Sequence, residues 1–314
     1  MNVPAGRRLR VALPLAAAGG LIFGRIDPLW ATQGKRMFDT ITYTSNLADE
    51  QFATRLQVGG DGWGRLSLGS NRARREQPIG LFQERLPAAL MQRLDSLARG
   101  PDLAASASQP SLIPDEVHRQ INVALPQQAP IVKLVGEKLA TPAAFARMEA
   151  ALHEAIDHLL QFPQLAVALR LQPPPARLAA GQALPLVLQL RNAGSTPFVL
   201  EMPALWGKKA SHCELRALRS DIPSAELRSV HQAFAQLDAQ AYKRSEPAQG
   251  AGHAELRPSE QLGLWFELPA GWAPGPYAVE LNLSLTLFNR DMKPLFVGGA
   301  ASPPHAVELE KPQR

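Results

Sequence analysis

The sequence predicts two regions of different fold class, an α+β region over residues 36–162 and an all-β sandwich over residues 165–310. Two amphipathic helical patterns lie before residue 162, whereas short alternating apolar segments separated by Pro and Gly follow residue 165. The chain has 314 residues, which is more than one ordinary domain requires. Its 46% hydrophobic and 19% charged residues are typical of a folded protein. We therefore expect two folded domains.

The N-terminal segment has the organisation of a secretory signal. Arg7, Arg8 and Arg10 precede an uncharged apolar segment at residues 11–23. As a helix this segment spans about 20 Å, which is short for the roughly 30 Å core of a bilayer. We expect residues 1–31 to be a signal peptide or an N-terminal anchor, and the protein to be periplasmic or secreted. Cleavage, the export route and a membrane tether through residues 11–23 stay open.

The charge balance argues against a nucleic-acid partner. The formal net charge is +5, but residues 1–31 hold four arginines against Asp27, so the remainder carries 29 basic and 27 acidic residues. Such a balance lacks the dense basic face that binds phosphate backbones. The single cysteine, Cys213, has no partner for an internal disulfide. Its alternating apolar surroundings predict a buried thiol.

The α+β region begins with a predicted strand at residues 38–44, and a predicted hairpin follows it. Residues 52–58 and 63–68 alternate around the Gly-Gly-Asp-Gly turn at 59–62. Helices are predicted from about residue 86 to 100 and from 141 to 160, with strands at 121–125 and 131–135 between them. Thr141 is the expected N-cap of the second helix. Its expected buried face consists of Phe145, Met148, Leu152, Ile156 and Leu159.

A polar segment follows the hairpin at residues 69–77. It contains Arg72, Arg74 and Arg75 and is expected to be exposed. Phosphate binding is the functional alternative to a solvated loop.

The second region consists almost entirely of predicted strands. Pro and Gly turns separate the segments, and one helix is considered around residues 225–237. The predicted strands cover residues 165–171, 184–190, 198–202, 213–218, 262–268, 277–287 and 306–309.

Three segments carry a resemblance to a known fold. In the first, Leu188–Leu200, a strand ends in an Asn-x-Gly turn and a Pro-led strand returns; the others are residues 256–266 and 274–277. Their order resembles bacterial immunoglobulin-like sandwiches of the intracellular proteinase inhibitor type, over residues 165–310. The Pro-Gly-Glu usual in that family is Pro-Ser-Glu here, at residues 258–260, and the insert at 219–254 is longer. The fold class is therefore an α+β N-terminal domain followed by an all-β immunoglobulin-like sandwich.

The resemblance implies a fold and transfers no functional residue, because sandwiches of this kind host many functions. No strand-to-helix phosphate loop and no Gly-x-Ser-x-Gly motif occurs in the sequence. His212 and Cys213 are adjacent, so on a strand their side chains point to opposite faces. We expect no catalytic residues and no cofactor.

One helical segment has the composition of a metal site. His153, Glu154, Asp157 and His158 lie on the second predicted helix. The two histidines are five residues apart, about 140° around a helix, whereas the His-Glu-x-x-His zinc motif requires four. His153 with Asp157, and Glu154 with His158, are each four residues apart, so either pair could provide two ligands to a metal ion. This spacing is the basis of a third hypothesis, a metal-dependent hydrolase. Two ordinary polar pairs on a solvated face are the alternative.

Two loop tryptophans, which we expect to be exposed, are the remaining candidates for binding. Trp206 precedes Lys208 and Lys209 in a polar stretch, and Trp272 lies in a Pro/Gly-rich turn. Loop tryptophans beside turns either anchor a partner or cap the open end of a sandwich.

The sequence thus predicts an exported, non-enzymatic binding or assembly protein of the bacterial cell envelope, with a protein partner of unknown identity. The alternative is an inhibitor of a secreted or periplasmic protease, which the fold resemblance and the Pro-rich loops suggest.

Overall fold

A computed structural model describes residues 37–46, 52–72, 74–109, 117–179, 182–206, 211–221, 232–236, 242–246, 252–269 and 272–310. The predicted signal at residues 1–31 lies outside the described residues. Among the described residues, no helix combines the length and the apolar character needed to cross a bilayer.

The first half of the described chain holds six strands and three helices. In chain order they are β1 (Thr40–Ser45), β2 (Thr54–Gly59), β3 (Trp63–Leu68), β4 (Ile79–Arg85), α1 (Ala88–Arg99), α2 (Pro101–Ala105), β5 (His118–Ala124), β6 (Ile131–Gly136) and α3 (Ala143–Leu159).

The second half of the described chain is built from strands and one 3-10 turn at Pro203–Leu205. The strands are β7 (Pro163–Leu171), β8 (Arg177–Ala179), β9 (Ala183–Asn192), β10 (Phe198–Glu201), β11 (His212–Arg219), β12 (Gln232–Gln236), β13 (Tyr242–Glu246), β14 (His253–Leu256), β15 (Gln261–Pro269), β16 (Gly275–Phe288), β17 (Pro294–Ala301) and β18 (His305–Glu310).

These strands form two sheets. The first sheet has ten antiparallel strands in the order β13-β15-β9-β7-β4-β3-β2-β1-β5-β6. The second has the order β12-β11-β16-β10-β14, with β17 and β18 also on β16 and β8 on β18. The 14-residue β16 is long enough to pair with β18 at its start and with β17 at its end. The fold is therefore β-rich and sandwich-like.

The predicted α+β N-terminal domain is wrong. Strands make up 51% of the structure and helices 17%, and strands from both predicted regions belong to the first sheet. β4 pairs with β7 in the middle of that sheet, from Ile79↔Val167 to Phe82↔Pro163. The chain thus returns from α3 into the sheet it left, and the predicted change of region at 162–165 coincides with the start of β7. Residues 36–314 form one compact unit.

Two apolar cores lie on opposite faces of the first sheet. The helix-side core lies between β1–β5 and the helices, and the sandwich core lies between β7, β9, β15 and the second sheet. β4 contributes Ile79 to the sandwich core and Phe82 to the helix-side core. β7 likewise sends Leu165 and Val167 one way and Ala166 the other. Burial on both faces explains why β7 is a continuous apolar run.

The local predictions for the first half are largely confirmed. β2 and β3 form the predicted hairpin, and all five residues of the predicted helix face are buried. The N-cap prediction is wrong, because Pro142 occupies that position in α3. The hydroxyl of Thr141 instead accepts a hydrogen bond from Nη2 of Arg119 at 2.9 Å.

The second half confirms the seven predicted strands, which correspond to β7, β9, β10, β11, β15, β16 and β18. Within the helix considered at 225–237, the described residues 232–236 form β12, so that prediction is wrong where the structure describes it. β4, β8, β13, β14 and β17 were not predicted, because short or Gly-containing strands give weak alternation.

The segments behind the resemblance occupy the crossings between sheets. The chain passes from β9 in the first sheet to β10 in the second through the Asn-x-Gly turn, and from β14 back to β15 through residues 257–260. Asn192, 1% exposed, joins both crossings, since its Nδ2 donates to the carbonyls of Thr196 (2.9 Å) and Leu256 (3.0 Å). Turn chemistry therefore fixes how the chain changes sheets.

Candidate functional site

The predicted metal-binding residues on α3 do not converge. Glu154 forms an ion pair with Arg93, and Asp157 forms one with Arg74. His158 Nε2 lies 3.0 Å from the Arg85 carbonyl. Each side chain therefore contacts a different element instead of its neighbour on the helix. The described residues contain no group of three metal-ligating side chains.

His153 belongs to a polar network around a buried tyrosine. Its Nε2 lies 3.3 Å from the Tyr43 hydroxyl, which donates to Glu149 Oε1 at 3.0 Å. Arg119 Nη1 donates to the other oxygen of Glu149 at 2.8 Å. Burial, and then the Glu149 carboxylate, raise the pKa of Tyr43 well above its ordinary value. The network satisfies polar groups that β1, β5 and α3 bury between them.

The tryptophan predictions have different outcomes. Trp206 is 5% exposed, so its predicted exposure is wrong. Its ring stacks on Phe266 with centroids 5.8 Å apart, and its Nε1 donates to the Glu201 carbonyl at 2.8 Å. An apolar ring with a satisfied N–H is what a core position requires. Lys208 and Lys209 lie outside the described residues.

Trp272 is half-buried at one end of the sandwich. Its ring packs against the sandwich core and lies 5.5 Å from the Tyr277 ring, centroid to centroid. The Tyr277 hydroxyl donates to the Ala273 carbonyl at 2.9 Å, which closes the turn before β16. The geometry favours the capping alternative for this tryptophan, and partner binding by it stays a prediction.

The polar segment 69–77 is docked against the second sheet rather than free in solvent. Asn71, 2% exposed, donates to the Ala301 carbonyl at 3.2 Å and accepts from the Ala301 N–H at 2.7 Å. Arg75 forms an ion pair with Glu280 and donates to the Ser302 carbonyl at 3.0 Å. The expectation of an exposed loop is therefore wrong for these two residues, and Arg75 is committed to a carboxylate rather than to phosphate.

Close packing brings this segment across β17. The Gly299 N–H donates to the Gly69 carbonyl at 2.8 Å. The Phe52 ring covers Gly299 so closely that a Cβ there would lie 2.4 Å from its Cε1 atom. A side chain at 299 would therefore require the Phe52 ring to move away from β17.

The crossing creates a pocket of about 270 Å³, here named the crease pocket. Phe52, Ser70 and Arg72 line it from the loops of the first sheet. The strands of the second sheet contribute residues of β11, β16 and β17, namely His212, Glu214, Arg216, Asn282, Leu283, Ser284, Gly299 and Ala300.

Strand register fixes the polar floor of the crease pocket. Cys213 and Leu215 of β11 point into the sandwich core, so His212 and Glu214 point outward. The register places His212 opposite Ser284 and Glu214 opposite Asn282. Directly opposite residues have side chains about 5 Å apart at Cβ. Four polar side chains therefore share one rigid patch of sheet.

Some charged side chains around this patch form ion pairs and others do not. Arg216 lies 3.8 Å from Glu280, the carboxylate that also pairs with Arg75. Arg72 is exposed, and its guanidinium has no hydrogen bond or ion pair in the described structure. The side chains of His212, Glu214, Asn282 and Ser284 also lack partners among the described residues. The pocket thus offers a free cation, a free carboxylate and neutral donors and acceptors to a ligand.

Sequence reasoning missed the crease pocket because its residues come from five separate segments. The alternation of Cys213 with its polar neighbours signals that His212 and Glu214 share a face. Nothing local indicates that Arg72 meets them, because this contact depends on the docking of residues 69–77 on β17.

The comparisons with known proteins are distant. No protein-family model matches the chain, and no curated protein matches it. Its similarity to the solved structure of AvmM, which catalyses macrocyclization in alchivemycin A biosynthesis, covers 47% of this chain and 89% of that one, with 7% identity and a TM-score of 0.26.

Two further solved structures are similar over comparable lengths. The CARDB domain of a Pyrococcus furiosus protein, in complex with di-metal ions, covers 48% of this chain and 98% of its own, with 13% identity and a TM-score of 0.20. The similarity to AggA, the major subunit of aggregative adherence fimbriae type I from Escherichia coli, covers 47% of this chain and 95% of that one, with 11% identity and a TM-score of 0.21. Similarity at this level carries no argument about function.

Proposed function

We propose that this chain is an exported, non-enzymatic binding or assembly protein of the bacterial cell envelope that binds its partner at the crease pocket. The observation that supports the proposal most directly is the set of uncommitted side chains, led by Arg72 and Glu214, on the outer face of the second sheet. Folding has already placed them together, so a partner finds both charges in position without ordering them itself.

Charge complementarity suits such a pocket to a polar partner. A free cation and a free carboxylate that line the same pocket attract a partner with the complementary arrangement of charges and repel one with the same arrangement. Phe52 provides an apolar wall beside them. Export, the envelope location and the immunoglobulin-like class of the sandwich are parts of this proposal and depend on the sequence patterns at residues 7–23 and 188–277.

A charge-swap experiment tests the proposed binding site. The full chain with a C-terminal tag is used to capture cross-linked partners from an envelope fraction, followed by mass spectrometry. The pocket swap, Arg72→Glu with Glu214→Lys, keeps the net charge and reverses the local field. The control swap, Arg170→Glu with Glu308→Lys, changes two exposed residues outside the pocket.

We expect the wild type and the control swap to capture the same proteins and the pocket swap to lose them. Thermal melting of the variants checks that each is folded. If the folded pocket swap captures the same proteins as the wild type, the crease pocket is not the binding site.

A further inference from the structure

The crease pocket is lined by groups of opposite charge that come from different parts of the fold. Arg72 belongs to the loop of the first sheet, and Glu214 belongs to β11 of the second. An arginine binds a carboxylate through two parallel hydrogen bonds, and a carboxylate binds an ammonium group through charge-assisted hydrogen bonds. The complementary ligand therefore carries one group of each kind.

Two other ligand classes fit the pocket less well. A phosphate bound at Arg72 would share the pocket with the Glu214 carboxylate, and the second arginine, Arg216, already lies beside Glu280. A metal ion would find His212 and Glu214, but the described residues provide no third ligand beside them. A phosphate would leave Glu214 without a role, and a metal ion would leave Arg72 without one.

The volume of the crease pocket and its other lining residues further restrict the class of ligand. A volume of about 270 Å³ is just below the usual range for drug-sized ligands, which indicates a small molecule. The ring of Phe52 forms an apolar wall, while Asn282 and Ser284 provide an amide and a hydroxyl. A compact zwitterion with an apolar body matches all of these surfaces.

We infer that the crease pocket binds a zwitterion of amino-acid type, with its carboxylate at Arg72, its ammonium group at Glu214 and its apolar side chain against Phe52. This inference deepens the proposed function, because it names the chemistry recognised at the same pocket. The zwitterion is either a free amino acid or a short peptide whose charged ends lie close together.

Leucine and two analogues that each lack one charge test the inference. Titration calorimetry on the purified full chain measures binding of leucine, of N-acetyl-leucine without the ammonium group, and of leucinamide without the carboxylate. The dipeptide Leu-Leu serves as the peptide arm. We expect leucine or the dipeptide to bind, and loss of either charge to weaken binding about tenfold or more.

Single variants assign each charge to its partner. In Arg72→Gln we expect leucine to bind no better than leucinamide, because the residue that distinguishes them is gone. In Glu214→Gln we expect leucine to bind no better than N-acetyl-leucine. Arg170→Gln and Glu308→Gln are matched controls and should keep both preferences. A merely structural role of Arg72 or Glu214 would weaken all ligands equally and would overturn the assignment.

The outcomes separate this inference from the proposed function. If neither leucine nor the dipeptide binds at millimolar concentration while partner capture still depends on the pocket swap, the zwitterion inference fails and the binding function stands. If leucine binds with the expected preferences but the pocket swap leaves capture unchanged, the inference stands and the proposed partner site fails.

Discussion

At the residue scale, Ser259 occupies a position where the backbone favours glycine. Its φ is +67°, in the left-handed region, and it lies at the centre of the Pro-Ser-Glu turn between β14 and β15. In the immunoglobulin-like sandwiches that this segment resembles, the corresponding Pro-Gly-Glu has glycine at this position. A non-glycine residue costs about 1–2 kcal/mol in this conformation. The turn still forms, because the Arg257 N–H donates to Glu260 Oε2 at 2.7 Å and the Glu260 N–H donates to the Arg257 carbonyl at 3.0 Å.

Ser259→Gly is therefore expected to stabilise the protein. Relief of the backbone strain outweighs the entropy that glycine adds to the unfolded chain, for a net gain of about 0.5–1 kcal/mol. Urea denaturation measures the change. Ser220→Gly, at a loop residue with negative φ, is the control and should lose stability. A loss in both variants would show that Ser259 is not strained.

Two buried acids set the response of the fold to alkaline pH. Burial, and then the Glu214 charge, raise the pKa of Cys213 far above its ordinary value of 9.0. Burial, and then Glu149, raise that of Tyr43 far above 10.0. Because both pKa values are raised, the folded state keeps protons that the unfolded chain releases. The stability these groups contribute is complete below pH 9 and is lost as the pH rises further.

We expect the free energy of unfolding to fall above pH 9 by about 1.4 kcal/mol per pH unit for each group. Cys213→Ala should remove the part of the slope that begins near pH 9.0, and Tyr43→Phe the part that begins near pH 10.0. Urea titrations from neutral to strongly alkaline pH measure both slopes. An unchanged slope in Cys213→Ala would mean that the thiol ionises in the folded state.

At the element scale, the loop between β3 and β4 acts as an extra edge partner for β17. Residues 69–71 run beside 299–301, with Asn71 bonded to both backbone groups of Ala301. Asn71 Nδ2 also donates to the Arg75 carbonyl at 2.9 Å and so closes its own loop. One buried amide therefore shapes the loop and attaches it to the second sheet.

Asn71→Ala should cost about 2–3 kcal/mol of stability, because it leaves the Ala301 N–H without its partner and removes bonds within the loop. Urea denaturation measures the loss. Arg72→Ala, at an exposed neighbour, should change stability by less than about 0.5 kcal/mol. Equal effects of the two substitutions would contradict the role given to Asn71.

At the scale of the whole molecule, the first sheet joins the two predicted regions. β4 and β7 supply side chains to both apolar cores, so neither core is complete without strands from the other half of the chain. Antiparallel pairing of these two strands also closes a long stretch of chain that contains all three described helices. We expect the unit to unfold cooperatively.

The fragments 36–162 and 165–310 test this expectation directly. The first fragment lacks β7 beside β4 and the second lacks β4 and the loop on β17, so each exposes apolar surface that the whole chain buries. We expect neither to give protected amides in hydrogen exchange, while the chain from residue 36 to 314 does. Stable protection in either fragment alone would show an independent domain.

The local structure follows from the residues of each segment. The helical stripe of α3, the β2–β3 hairpin and seven strands of the second half follow from side-chain periods of 3.6 and 2, which each segment carries alone. The turns at Asn192 and at residues 258–260 were also predictable, because their backbone geometry favours few residue types. The N-cap at Thr141 failed, since Arg119 on a distant strand engages its hydroxyl.

Long-range packing determines which strands share a sheet, which polar residues are buried and where the crease pocket lies. The pairing of β4 with β7 joined the two predicted regions in one sheet, and the packing of the two sheets buried Trp206 and left Glu214 half-buried in the same pocket as Arg72. The periodicity of a segment predicts whether one face of its helix or strand is apolar or polar. It does not predict which other element packs against that face. Contacts between residues far apart in sequence depend on the total burial of the folded chain, and no local pattern encodes that quantity.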